Sequence, residues 1–105
     1  MDIRELQGFC HDECVAITKH ARIRLAERDI SIADVQKAIK TGEIIEQYED
    51  DKPYPSCLLL GLTNQSTYIH VVASLGSGYL YIITAYYPDE NEWKSDLKTR
   101  KEKSR

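Results

Sequence analysis

Residues 67–87, TYIHVVASLGSGYLYIITAYY, decide the fold of the chain. Two runs rich in β-branched and aromatic residues, 67–75 and 79–87, lie on either side of Gly76-Ser77-Gly78. Such runs joined by a short glycine-containing loop are typical of a β-hairpin. Apolar residues occur on both faces of both runs. The hairpin is therefore predicted to be central in a sheet, with other elements packed over most of it.

Helical patterns come before the hairpin. Thr18 is a plausible N-cap, and Ser31 with Asp34 three residues later forms the pattern of a capping box. An apolar stripe after Ser31 faces the predicted sheet, and Gly42 is the predicted C′ glycine of that helix. Three helices are predicted in this part: residues 2–12, residues 19–29 and the stretch from Ile32 to Gly42.

The remaining segments complete an α+β fold. Residues 43–48 and 56–62 are predicted strands, residues 14–18 are a candidate short edge strand, and a last helix is predicted to carry Trp93 and Leu97. Helices followed by a run of strands predict N-terminal helices packed on one face of a four-stranded, mostly antiparallel sheet, with a C-terminal helix. The opposite face of that sheet is expected to be a concave or open surface.

Size and composition limit the class of protein. A chain of 105 residues is expected to form a single domain over residues 1–105. An odd number of cysteines, three, argues against a disulfide framework. The sequence has no apolar run of about 20 residues and no signal-peptide pattern at its start. These features predict a cytoplasmic protein without a membrane segment.

The charge is unevenly distributed along the chain. The net charge is −3, which does not by itself indicate a nucleic-acid-binding protein. Residues 94–105 nevertheless carry six Lys or Arg against two acidic residues, and residues 19–28 form a second basic segment. Basic termini are usually only solvated. If the two segments converged on one site, they would suit a phosphate backbone.

Two clusters have the residue types of metal ligands. Cys10-His11-Asp12-Glu13-Cys14 contains zinc-ligating types, but the further ligands that a zinc site needs are scattered in the sequence. The acidic loop at residues 49–51 is typical of solvated carboxylates. The prediction is therefore no metal and no cofactor, and a metal or small-ligand sensor is the weakest of the functions considered.

Polar side chains on regular elements are the better candidates for chemistry. On the second predicted helix, His20, Arg24 and Arg28 share one face, which is either a solvated face with ion pairs or the wall of a cleft. On the hairpin, His70 and Tyr86 stand among apolar residues. A lone strand histidine is more often structural than functional, so both interpretations stay open.

These residues resemble a known family. The sequence resembles the small bacterial and archaeal proteins grouped as domain of unknown function 4258. The resemblance covers roughly residues 16–101. One departure is Asp29, where the family usually has glycine. The resemblance rests on several segments in register: His20-Ala-x-x-Arg24; Glu27-Arg28-Asp29-Ile30-Ser31 with Asp34-Val35; Ile69-His70-Val71-Val72-Ala73; and Thr84-Ala85-Tyr86-Tyr87-Pro88-Asp89 with Trp93 and Arg100.

The resemblance implies a fold and an activity. The family's fold is thought to be similar to that of the RelE, MqsR, barnase and EndoU ribonucleases, so a ribonuclease-toxin-like fold is expected. A metal-independent endoribonuclease follows by analogy, in one form the toxin of a toxin–antitoxin pair. RNA would be its substrate and a small antitoxin-like protein of the zinc-finger type its partner. Fold analogy alone is weak evidence for function.

The residue types suffice for this reaction. Metal-free RNA cleavage needs a base for the 2′-hydroxyl, an acid for the leaving 5′-oxygen and cations for the charge on phosphorus. The alternative is a non-catalytic protein-interaction module on a degenerate nuclease fold, which scattered positions of these residues would favour. The predicted catalytic residues are His20 and His70 as acid and base and Tyr86 as a donor, and the predicted phosphate- or RNA-binding residues are Arg24, Arg28, Thr84 and Arg100.

Overall fold

The computed structural model describes residues 1–101. None of its helices has the length and apolar character needed to cross a bilayer within these residues. Eight elements follow one another: α1 (Ile3–Phe9), β1 (Val15–Ile17), α2 (Lys19–Glu27), α3 (Ile32–Thr41), β2 (Glu43–Tyr48), β3 (Ser56–Leu62), β4 (Tyr68–Gly76) and β5 (Tyr79–Tyr86).

The sheet has five strands in the order β1-β5-β4-β3-β2 and is mixed. The prediction of a four-stranded, mostly antiparallel sheet is therefore wrong in strand number and in pairing. The additional strand is β1, which runs parallel to β5 with Val15 beside Leu80 and Ile17 beside Ile82. Without β1, the first half of β5 would be an open edge with unpaired backbone groups, and the parallel partner satisfies them.

The central hairpin forms as predicted, with a tighter turn. Gly76 pairs with Tyr79, so the loop is only Ser77 and Gly78, whose φ angles are 53° and 83°. Two positive φ angles define the type I′ turn that suits the twist of antiparallel strands. Further along, a bulge between Val72 and Ala73 leaves Ile83 as the extra residue of β5. The bulge shifts the alternation of β5, so Thr84 and Tyr86 pair with Val72 and His70 on the face opposite Ile82.

The N-caps of α2 and α3 form at the residues predicted from the sequence. Thr18 accepts a hydrogen bond from the Ala21 amide at 3.0 Å, and Ser31 and Asp34 form a reciprocal capping box. Gly42 differs from the prediction, because its φ of −96° is extended rather than left-handed. A Cβ at Gly42 would lie 2.6 Å from the Leu60 carbonyl oxygen, so glycine is needed there for the close approach of α3 to β3.

The end of α2 turns through a left-handed residue at position 29. Asp29 has a φ of 56°, and Ile30 donates its backbone N–H to the Leu25 carbonyl at 3.0 Å, which closes the helix in a Schellman arrangement. Glycine is the least strained residue at such a φ, and Asp is one of the few others that tolerate it.

The helices pack on one face of the sheet and form the main core there. Leu25 of α2 and Val35 and Ile39 of α3 lie against Val71 of β4 and Ile82 of β5, all nearly or fully buried. The opposite face, called the outer face below, carries Leu58, Leu60 and His70, which are also buried. Something other than the helices must therefore cover part of the outer face.

Residues 88–101, called the strap below, provide that cover. The predicted C-terminal helix is wrong for the described residues. Asp96 accepts hydrogen bonds from the amides of Lys98 and Thr99 at 2.9 and 3.0 Å, which favours a turn over a helix. The strap folds back on itself through a bridge between Trp93 and Arg100. It covers the part of the outer face around His70, whereas the part around Tyr81 stays concave as expected.

Candidate functional site

The polar residues of the hairpin share the outer face. His70 is paired with Tyr86 across β4 and β5, and Val72 is paired with Thr84. Side chains at directly opposite positions of neighbouring strands project to the same side of a sheet. His70, Thr84 and Tyr86 therefore belong to one surface, and their surroundings divide that surface into two parts.

The first part, called the strap cluster below, consists of His70, Trp93, Arg100 and Glu46. His70 is fully buried, and its Nε2 donates to the Leu97 carbonyl oxygen at 2.7 Å. The imidazole meets the Trp93 ring edge-on at 4.5 Å between centroids. Its Nδ1 is buried without a hydrogen-bond partner in residues 1–101. An imidazole enclosed in this way cannot touch an RNA phosphate while the strap is in place.

Arg100 closes the strap over this histidine. Its Nε and Nη2 donate to the two Glu46 carboxylate oxygens at 2.8 and 3.0 Å, a bidentate pair. Its guanidinium also lies 4.6 Å from the centroid of the Trp93 ring. Glu46 accepts a further hydrogen bond from the Tyr48 hydroxyl. The cation of Arg100 is thus engaged by a carboxylate and a ring.

The electrostatics of the strap cluster follow from burial and from this ion pair. Burial lowers the pKa of His70, which favours the neutral imidazole. The Arg100 hydrogen bonds hold the pKa of the Glu46 carboxyl below its usual range. Burial, with the hydrogen bond to Glu46, raises the pKa of Tyr48 to about 12. The cluster therefore consists of one ion pair and neutral aromatic rings at neutral pH.

The second part, called the α2–β5 groove below, begins with Arg28 at the end of α2. Its Nη1 donates to the Thr84 hydroxyl at 3.0 Å and to the Ala85 carbonyl at 2.9 Å. These contacts lie on β5 beyond the end of β1, where the strand edge is open. The Nε and Nη2 donors of Arg28 make no hydrogen bond within residues 1–101 and are not buried. A guanidinium in a fixed position thus keeps donors for a ligand.

His20 and Arg24 lie on the same stripe of α2 as Arg28, two turns and one turn before it. Both are exposed, and the partner of Arg24 is Glu27 at 3.8 Å, a loose surface pair. At the other end of the stripe, Thr18 lines the same cavity as Ile83 of β5. Both ends of α2 are therefore close to β5, and the name α2–β5 groove covers this helix stripe and the adjacent edge of β5.

Tyr86 lies between the strap cluster and the groove. Its ring meets His70 edge-on at 5.4 Å between centroids. Burial raises its pKa, with smaller opposing influences from the cations of Arg100 and Arg28. The hydroxyl therefore stays protonated at neutral pH and is a hydrogen-bond donor.

The predicted site residues are thus distributed between these two parts. Strand pairing brings His70 together with Tyr86, and the strap adds Arg100; α2 brings Arg28 to Thr84, with His20 and Arg24 farther along the same wall. Sequence reasoning missed Glu46, the partner of Arg100. Nothing in the strand 43–48 indicated that role, because the pair joins residues that are 54 positions apart.

The cysteines do not form a ligand cluster. Cys10 is buried, and its thiol lies 3.7 Å from the Gln36 carbonyl, whereas His11 is exposed. Burial raises the pKa of the Cys10 thiol, which disfavours the thiolate that metals bind. Within residues 1–101 no three His, Cys, Asp or Glu side chains are grouped as metal ligands.

The fold and the groove define a small α+β protein with a helix packed against the last strand of a mixed sheet. The family model for the domain of unknown function DUF4258 matches residues 17–87. The chain belongs to this family, and the match contains α2 and β5, whose residues form the groove. Trp93 and Arg100 of the strap lie outside the matched segment. No curated protein and no solved structure shows significant similarity to the chain.

Proposed function

We propose that the chain is a metal-independent endoribonuclease that cleaves RNA in the α2–β5 groove by transphosphorylation. The observation that carries the proposal is the position of Arg28, which Thr84 and Ala85 hold at one end of the groove while its Nε and Nη2 make no hydrogen bond within residues 1–101. A pre-positioned guanidinium with two donors on one edge matches a phosphate. His20 and Arg24 lie along the same wall.

The reaction divides between these side chains. His20, the exposed histidine of the groove, takes the proton of the 2′-hydroxyl, and the 2′-oxygen forms a bond to phosphorus. The bond from phosphorus to the 5′-oxygen breaks, and the Tyr86 hydroxyl donates a proton to that oxygen. Arg28 and Arg24 bind the non-bridging oxygens as charge develops on them. The products are a 2′,3′-cyclic phosphate and a 5′-hydroxyl.

His70 and Arg100 have a supporting place in this proposal. His70 is enclosed by the strap and lies against Tyr86, so it orients the tyrosine ring rather than contacting RNA. Arg100 is held by Glu46 and covers His70 together with the Trp93 ring. Tyr86 is thus supported by the strap cluster.

The charge of α2 supports RNA as the ligand. Residues 19–28 carry four Lys or Arg against the one carboxylate of Glu27, in a chain whose net charge is −3. A local basic surface on an acidic protein directs a polyanion to one place. The proposal places the reaction in the cytoplasm, the compartment predicted from the number of cysteines.

Purified protein and RNA in EDTA provide the test. Wild type is expected to produce fragments with 5′-hydroxyl and 2′,3′-cyclic phosphate ends. His20→Ala is expected to lower kcat by about 10²- to 10⁴-fold, the usual contribution of a general base. His11→Ala is the matched control, because His11 is exposed and lies outside the groove. Folded wild type that cleaves no RNA would refute the proposal, and equal losses in both variants would refute the role of His20.

The toxin form of the proposal adds a partner, a small antitoxin-like protein of the zinc-finger type that covers the groove. The prediction is that induced wild type arrests bacterial growth and that His20→Ala does not. Co-expression of the protein encoded next to this chain should restore growth. Growth arrest by both forms would show that toxicity does not come from His20 chemistry.

A second candidate function is a non-catalytic protein-interaction module on the same fold. It is favoured by the division of the predicted site residues between the strap cluster and the groove, and by the large apolar side chains that are exposed in the described structure. Under this alternative, His20→Ala has no effect on partner binding, whereas replacing the exposed tyrosines removes it. The exposed large apolar side chains are Ile23, Ile32, Tyr68, Tyr79, Ile83 and Tyr87.

A further inference from the structure

A cavity on the outer face lies at the opposite end of the groove from Arg28. Its volume is about 450 Å³, within the range of small-molecule sites. Thr18, the N-cap of α2, is at its rim, and Tyr81 and Ile83 of β5 form its floor. The strap does not reach this part of the sheet, since the strap residues do not line the cavity. The cavity is therefore separate from the residues proposed for catalysis.

The aromatic wall of the cavity is held in place. The Tyr54 ring stacks on Tyr81 with 5.8 Å between centroids and an angle of 18° between planes. The Tyr54 hydroxyl is hydrogen-bonded to the Ser77 hydroxyl at 2.6 Å. A Cβ at position 76 would lie 2.5 Å from a carbon of the Tyr54 ring, so Gly76 allows the ring to lie flat on the hairpin backbone. A wall fixed in this way loses little entropy when a flat ligand stacks on it.

We infer that this cavity binds a nucleobase of single-stranded RNA, next to the cleavage site in the groove; this inference rests on the proposed function. Unstacked bases bind proteins mainly by stacking on aromatic side chains, which the Tyr54–Tyr81 wall and the apolar Ile83 provide. Along β5, Tyr81 is about 10 Å from Thr84 at about 3.3 Å per residue. A base in the cavity thus belongs to a nucleotide close to the phosphate held by Arg28.

The polar rim of the cavity selects among bases. Asp51 accepts a hydrogen bond from the Ser56 hydroxyl through Oδ2, and its Oδ1 accepts none within residues 1–101. A free carboxylate oxygen accepts from the exocyclic amino group of cytosine, adenine or guanine, whereas the one base donor of uracil, N3–H, lies between two carbonyl oxygens that repel a carboxylate. The cavity is expected to prefer bases with an amino group.

Binding of short RNAs that cannot be cleaved tests the inference apart from catalysis. Labelled 2′-O-methyl oligonucleotides of C, A or U lack the nucleophile and are titrated with protein in a fluorescence anisotropy assay. Wild type should bind oligo-C or oligo-A more tightly than oligo-U. Tyr81→Leu and Tyr54→Leu should each weaken oligo-C binding by about 10-fold, a typical loss for one stacked base. Asp51→Asn should reduce the preference over oligo-U.

Tyr87→Leu is the matched control. Tyr87 is as exposed as Tyr79 but borders the cavity near Asp29 and Ser31, away from the Tyr54–Tyr81 wall. Its replacement should leave the affinity within about twofold of wild type. In NMR titrations of wild type with oligo-C, the amides of Lys52, Tyr81 and Ile83 should shift, which locates the ligand without any variant that folding defects would affect.

The outcomes separate this inference from the proposed nuclease. Wild type that binds oligo-C at the cavity but cleaves no RNA would support the inference and refute the nuclease. Wild type that cleaves RNA while Tyr54→Leu and Tyr81→Leu bind oligo-C normally would support the nuclease and overturn the inference. Absence of any oligonucleotide binding, or amide shifts that avoid the cavity, would also overturn it.

Discussion

The strap cluster and the α2–β5 groove contain the same kinds of side chain around one sheet, but in opposite states. In the strap cluster, Arg100 is held by a carboxylate and a ring, and His70 is fully buried. In the groove, Arg28 is held through one nitrogen, and His20 is exposed. Residue type alone therefore does not identify a reactive group. What distinguishes the two parts is how many donors the fold has already used.

This difference assigns separate tasks to the two parts. A buried imidazole with a lowered pKa and an engaged Nε2 stabilises the packing around it. An exposed imidazole on a basic helix is free to accept a proton from a ligand. Each of the following experiments changes one part and leaves the other intact.

Replacement of Trp93 should have the largest effect on folding. Trp93→Ala removes the buried ring that covers His70, and a loss of about 3–5 kcal/mol is expected in the free energy of unfolding. Urea denaturation measures it. Tyr87→Ala, which truncates an exposed aromatic residue, should change stability by less than about 0.5 kcal/mol. If the two variants were equally stable, the strap would not be packed on the sheet.

The end of α2 is the next most sensitive position. Asp29→Val places a β-branched residue at a φ of 56°, and a loss of about 1–2 kcal/mol is expected. Asp29→Gly, the residue usual in the family, should be at least as stable as wild type. Thermal unfolding measures the stability of the two variants. A valine variant as stable as the glycine variant would show that the left-handed turn is absent.

The anchor of Arg28 should have a smaller effect. Thr84→Val keeps the shape of the side chain and removes the hydroxyl that accepts from Arg28, which should cost about 0.5–1.5 kcal/mol. Thr67→Val, at an exposed position, is the control. Under the proposed function, Thr84→Val also raises KM for RNA because the guanidinium loses its fixed position. Unchanged stability and KM would show that Thr84 does not position Arg28.

The mildest perturbation is a change of pH. The pKa of His70 is lowered by burial, from an ordinary value of about 6.5. As the pH falls below about 6.5, the unfolded chain takes up the proton first, so the free energy of unfolding should decrease down to the folded pKa. NMR titration of the imidazole checks this. A folded pKa of His70 at or above 6.5 would contradict its enclosure by the strap.

Local sequence signals predicted most of the fold. The turn residues and the alternation in 67–87 gave the hairpin, and Thr18 and Ser31 capped their helices as expected. The sequence did not reveal the parallel pairing of β1, since a strand of three residues has no usable periodicity. The strap was mistaken for a helix because Trp93 and Leu97 have helical spacing, whereas the hydrogen bonds of Asp96 favour a turn.

The candidate site was less predictable than the fold. The shared stripe of His20, Arg24 and Arg28 could be read from helical spacing. The burial of His70 could not be predicted from the sequence, because it depends on how the strap lies on a distant strand. The aromatic cavity was also missed, since Tyr54 comes from a loop and reaches Tyr81 only through the folded sheet. Contacts between residues far apart in sequence are what the sequence alone left undetermined.

The pairing of β1 with β5 has a consequence for synthesis of the chain. Val15 can pair with Leu80 only after Leu80 has been synthesised. Arg28 likewise depends on Thr84, which comes 56 residues later in the chain. Such distant contacts are slow to form, because long loops must close first. On the ribosome, the groove cannot form until the segment around residue 86 has left the exit tunnel. Under the proposed function, a nascent chain of this protein therefore has no groove with which to cleave the RNA that encodes it.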